Sequence, residues 1–155
     1  MKLELLESDK YKIFVNNSYL GDVNIKDSGE LGQYIKTLIL KIKKIYNVTL
    51  AGFYNVDVYI VRNFGIIIEI ENIDKYINKT IDLRILIHSN EDVYLKIKSE
   101  EKLSKYREIK YLEQYYYLNV NSILKKDINK FIEDYEPIYG ENLKILKNKW
   151  QSLTD

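Results

Sequence analysis

Cysteine is absent from the 155 residues, which removes disulfides, thiolate metal sites and a cysteine nucleophile together. Histidine and proline occur once each, so a zinc site would have to be built almost wholly from carboxylates. Charge of one sign is also lacking: 24 basic residues stand against 23 acidic ones. The net charge of +1 provides no global field to draw in nucleic acid or an anionic membrane. No apolar run approaches the roughly 18 residues of a membrane span. The opening MKLELLESDK carries acidic residues where a secretory signal needs an apolar core. The expectation is a cytoplasmic protein without cofactor or metal.

The residues that are present, 46% hydrophobic and 30% charged, make a globular chain and exclude a disordered or collagen-like one. The length suits one domain or two units of roughly 75 residues each. The clearest strand signal lies at 53–71. Tyr54, Val56, Val58 and Ile60 share one face of a first arm, and Ile66, Ile68 and Ile70 share one face of a second. Asn63 and Gly65 supply the turn between them.

Before this hairpin, alternation at 2–7 and 12–15 predicts an opening hairpin, and 19–25 reads as a third strand. A helix is predicted over 27–46. Asp27 is its N-cap, Glu30 sits as in a capping box, and Leu31, Ile35, Leu38, Ile42 and Ile45 form an apolar stripe. That stripe is suited to lie on the hairpin.

Residues 73–80 read as an ordered connector between a first half (1–72) and a second half (81–155). In the second half, Ile81, Leu83, Ile85 and Ile87 with Val93, Leu95 and Ile97 predict a hairpin turning at Ser89, Asn90 and Glu91. Residues 99–105 read as a charged loop. Residues 108–112 and 115–120 predict a further hairpin around Glu113 and Gln114. A helix should start at Asn121 or Ser122, carry Leu124, Ile128, Phe131, Ile132 and Tyr135 on one face, and stop at Pro137. Leu143, Leu146 and Trp150 predict a short final helix beginning near Gly140, although Leu143 and Ile145 also permit a strand. The fold class is therefore α+β: antiparallel sheet with a long helix on one face, in two similar strand-helix halves or one continuous sheet.

Site chemistry is sparse. His88 lies beside Ser89, Glu91 and Asp92, but these neighbours share a turn, whereas a catalytic triad is assembled in space. Asp57 and Glu69 read as opposed carboxylates on a wet sheet face. No Gly-rich phosphate loop is present, and Gly29 and Gly32 stand where acidic residues oppose an anion. Tyr111, Tyr115, Tyr116 and Tyr117 with Lys105, Arg107 and Lys110 form an aromatic and basic stretch of the kind that stacks bases, interleaved with acidic residues.

Recognition of another protein ranks first by this reading. Phe53, Tyr59, Val61 and Ile67, opposite the main apolar face of the central hairpin, are candidate partner-binding residues, as are Tyr115, Tyr116 and Tyr117. Burial is the alternative for the first group. An inhibitor or immunity-type protein, a nucleic-acid module and, last, an enzyme stay open as functions. A homodimer stays open as an assembly.

In the second half, Asp92 and Val93 in a hairpin, then YYYLNV at Tyr115 to Val120, then IEDY at Ile132 to Tyr135 closing a capped helix, resemble the C-terminal domain of MecA-type adaptor proteins. The first half, strands followed by a helix and a Gly-turn hairpin, is similar in order to the N-terminal domain of that family. The resemblance implies an adaptor without catalysis, whose first domain captures a substrate protein and whose second docks on a Clp unfoldase. The long acidic linker of that family has no counterpart here.

Overall fold

The computed structural model describes residues 2–7, 10–46, 51–75, 80–89, 92–98, 106 and 109–154. The chain divides into two compact units, Met1–Tyr59 with Gly65–His88, and Ile60–Phe64 with Ser89–Asp155. Each contains its own sheet and helices, an α+β arrangement. Among the described residues no helix is long and apolar enough to cross a membrane.

In the first unit, strands β1 (Lys2–Glu7) and β2 (Lys10–Asn16) form the expected opening hairpin, with Leu3 opposite Ile13 and Glu4 opposite Lys12. The third strand expected at 19–25 does not form. Asn16 Oδ1 accepts from the Tyr19 amide at 3.2 Å and the Ser18 hydroxyl at 2.6 Å, turning the chain into a one-turn helix, α1 (Asn17–Leu20). Local capping by asparagine overrides the strand preference of Tyr19.

The long helix α2 (Ser28–Tyr46) is present as predicted, and Asp27 caps it by accepting from the amides of Gly29 and Glu30 at 2.9 and 3.3 Å. Glu30 does not close a capping box on Asp27; its carboxylate accepts from the Asn24 amide at 3.3 Å. Leu31, Ile35, Leu38, Ile39 and Ile42 are buried, whereas Ile45, expected on the stripe, is exposed in the last turn. Gly32 faces the sheet, where a Cβ would make an ordinary contact of 3.5 Å with Ile85 Cδ1.

Strands β3 (Gly52–Val61) and β4 (Gly65–Lys75) build the central hairpin, with Asn63 at φ +64° in its turn and the Phe64 amide donating to the Val61 carbonyl at 3.1 Å. Strand β5 (Ile81–His88) overturns one expectation. It does not pair with 93–97 but lies parallel to β3, from Gly52 opposite Ile81 to Tyr59 opposite His88. The sheet order is β1-β2-β4-β3-β5, so the expected antiparallel sheet carries one parallel edge. The physical reason is a matched apolar face: Leu83, Ile85 and Ile87 stand beside Tyr54, Val56 and Val58 and extend the floor beneath α2. The expected boundary at 73–80 accordingly gives way to one after His88. Of the proposed connector, 73–75 belong to β4, and 76–79 lie outside the described residues, as do 47–50 and the charged loop at 99–105.

In the second unit, β6 (Tyr94–Ile97), β7 (Ile109–Leu112), β8 (Tyr115–Asn119) and β9 (Glu136–Ile138) form an antiparallel sheet ordered β7-β8-β6-β9. The β7–β8 hairpin is the expected one; Glu113 and Gln114, at φ +51° and +73°, both take the left-handed conformation of a two-residue hairpin turn. The predicted helix from 121 starts later, as α3 (Ile128–Asp134). Asn119 Oδ1 accepts from the Asn121 amide at 2.8 Å, and the Ser122 hydroxyl donates to the Asn119 carbonyl at 2.7 Å. These bonds hold Val120–Ser122 in a 3-10 turn and leave Leu124 exposed. Pro137 does end the helical run, and it then sits in the edge strand β9, where a missing amide is tolerated. Helix α4 (Gly140–Thr154) is the expected final helix, longer by a turn, and buries Leu143, Leu146 and Trp150.

Candidate functional site

The structure separates the candidate partner-binding residues by accessibility. In the first group, Ile67 is fully buried, Val61 and Tyr59 are 3% and 9% exposed, and Phe53 is half-buried. A partner cannot reach Ile67 or Val61 in this conformation. Val61 lines a cleft of ≈ 420 Å³ with Arg62, Asp92 and Asn121. In the second group, Tyr117 is buried while Tyr115 and Tyr116 are half-buried.

Register explains the second group. Tyr117 stands opposite both Lys110 on β7 and Lys96 on β6, in a row on one face, while Tyr116 stands opposite Tyr111 and Ile97 on the other. Helix α4 covers the first of these faces: Leu112 and Tyr117 pack with Leu143, Leu146 and Trp150, and Tyr94, Tyr115 and Ile138 pack against them. Trp150 is central. The rings of Tyr94 and Tyr117 meet it edge-on at 5.0 and 5.6 Å, and Lys110 Nζ lies 4.7 Å from the indole centroid. Its Nε1 is buried and has no hydrogen-bond partner among the described residues.

Around Trp150 opens a groove of ≈ 610 Å³ lined by Tyr94, Lys110, Tyr111, Lys147, Gln151 and Leu153. Its rim is accessible at Leu153, exposed by 68%; Tyr111 borders it from the edge strand β7, but its ring packs 4.9 Å from that of Tyr116 on the opposite face. Lys147 is paired with Asp92 at 3.1 Å. Lys110 is exposed and has no carboxylate partner among the described residues, so it is the cation the groove offers. Burial, then the charges of Glu113, Glu136 and Tyr115, raise the Tyr117 hydroxyl above its ordinary value of 10.0.

Sequence reasoning placed Tyr111 and Lys110 in a base-stacking stretch and Trp150 in a tail helix, and did not join them. Only the β7–β8 register and the docking of α4 bring them together. Lys105 and Arg107 of that stretch lie outside the described residues.

The remaining polar candidates resolve into separate pairs. The His88 imidazole bonds Asp57 Oδ1 through Nε2 at 2.9 Å and stacks on Tyr59 with centroids 4.4 Å apart and planes 7° apart. Its acid is thus on the adjacent strand rather than in its own turn. Glu69 faces Lys12 at 3.9 Å. Among the described residues no three His, Asp or Glu side chains cluster as metal ligands would. No protein-family model, no curated protein and no solved structure matches the chain.

Proposed function

We propose that the chain is a non-enzymatic protein-recognition module, adaptor-like in its action and working in the cytoplasm, whose contact surface is the groove around Trp150. The observation that carries this reading is the juxtaposition of exposed Leu153 with Lys110, a cation without a carboxylate partner among the described residues, at a groove around the buried Trp150. Tyrosine, tryptophan and a desolvated pocket ringed by polar groups are the usual anchors of a protein interface. Tyr94, Tyr117 and Lys110 hold the indole from three sides, so the anchor is pre-organised and binding costs little side-chain ordering. The fitting partner is an apolar segment carrying an acidic side chain, its carboxylate on Lys110 and its apolar residues on Leu153. The resemblance to MecA-type adaptors is consistent with this role. An inhibitor or immunity-type protein would use the same surface on a different partner.

The test is capture from extract of the native cell, comparing the intact chain with Leu153→Ala and Lys110→Glu. A protein held by the intact chain and lost by at least tenfold in both variants is the expected outcome, since truncating an interface anchor costs roughly 1–3 kcal/mol. Equal capture by the variants would remove the groove from the account. Salt-sensitive capture of nucleic acid alone would replace protein recognition with the base-stacking function.

A further inference from the structure

Strand β5 ends the first sheet, and among the described residues no strand pairs with its outer edge. This edge has eight residues and little to blunt it: it contains no proline and no lysine. On the helix-covered face, Leu83, Ile85 and Ile87 are only half-buried, whereas their β3 neighbours Tyr54, Val56 and Val58 are exposed by 1%, 1% and 0%. On the other face, Asp82 and Arg84 are exposed and Leu86 is 58% exposed. Among the described residues, apolar surface thus remains open along the helix-covered face of the strand and at Leu86 on the other face, beside a backbone edge on which no strand lies.

We propose that this edge pairs with the same edge of a second copy, antiparallel about a two-fold axis at Ile85, joining two five-stranded sheets into one. The sequence of β5 is complementary to itself in that register. Asp82 stands opposite His88 of the other copy, Arg84 opposite Leu86, Leu83 opposite Ile87, and Ile85 opposite itself. No like charges face one another directly, and the arginine stem covers the exposed leucine. Neighbouring registers that keep the faces matched are poorer. Centring on Arg84 sets two guanidinium groups opposite each other, centring on Leu83 leaves Leu86, Ile87 and His88 without a partner strand, and centring on Leu86 leaves Ile81, Asp82 and Leu83 without one. A two-fold pairing of this kind closes on itself and leaves β1 as the outer strand at both ends of the joined sheet.

Sedimentation of the full chain over about a hundredfold range of concentration should show a shift from the single to the doubled mass. Leu86→Lys, at an exposed position where folding does not depend on the side chain, should weaken the dimer by at least about tenfold, because an edge lysine opposes pairing. Its unfolding midpoint at low concentration should match that of the intact chain. The chain has no cysteine, which permits a direct test of register. Arg84→Cys mixed with Leu86→Cys should cross-link to each other in preference to themselves. A single-chain mass at every concentration, a dimer indifferent to Leu86→Lys, or cross-linking of Asp82→Cys with Arg84→Cys instead would overturn the proposal. So would protection of the β5 amides that arises only when a different protein is added.

Discussion

At Gly65 φ is +149°, and a Cβ there would overlap the carbonyl oxygen of Val15, so any side chain must push β2 away from β4. The glycine signal in the sequence was read as turn chemistry, yet the turn itself is carried by Asn63, and Gly65 is required by the strand beside it. Gly65→Ala should therefore destabilise the protein by about 1–3 kcal/mol in a urea titration, whereas Asn63→Gly should change stability by less than about 1 kcal/mol. Ile67 gives a second residue-level expectation. Fully buried, it belongs to the core, and Ile67→Ala should cost about 2–5 kcal/mol while leaving partner affinity of the folded fraction unchanged. Tyr117 makes stability depend on pH. Its hydroxyl holds its proton to higher pH in the folded protein than in the unfolded chain. Its contribution is complete below the unfolded value near 10.0 and is lost as pH rises from there through the folded value. Tyr117→Phe should flatten the fall in unfolding midpoint above that pH. A residual slope should remain, because burial shifts Tyr34 in the same direction.

Among the elements, the β7–β8 hairpin places two non-glycine residues in left-handed backbone, at Glu113 and Gln114. Gln114→Gly should relieve that strain and stabilise the second unit by about 0.5–1 kcal/mol, measurable as a higher midpoint of thermal unfolding. This hairpin also shows what could be read from the sequence. Alternation of apolar residues located β3, β4, β7 and β8, and caps with a 3.6-residue stripe located α2 and α4, because these signals are local. Two failures share a different cause. Strand β5 was correctly seen as a strand, but a period of two says which side chains share a face and nothing about which strand lies alongside. Its parallel pairing with β3 was therefore illegible. At 16–20 and 119–127 the competing signals were asparagine side chains bonding nearby amides, which divert the backbone for one turn without altering the hydrophobic pattern. The groove was illegible for a third reason: Tyr94, Lys110 and Trp150 come from three elements far apart in sequence.

At the scale of the whole molecule, two surfaces carry the two proposed interactions. A foreign protein on the groove around Trp150 and a second copy on the β5 edge are the two proposals. Trp150 is the only tryptophan in the chain, so its emission reports the groove alone and leaves β5 silent. The measurement that bears most directly on the central claim is titration of the captured partner into the intact chain, followed by Trp150 fluorescence and repeated with Lys110→Glu and Leu86→Lys. The expected result is a saturable change in emission, with an affinity that Leu86→Lys preserves and Lys110→Glu weakens by at least about tenfold. Partner binding that leaves Trp150 emission unchanged, or that is lost in Leu86→Lys and kept in Lys110→Glu, would contradict it.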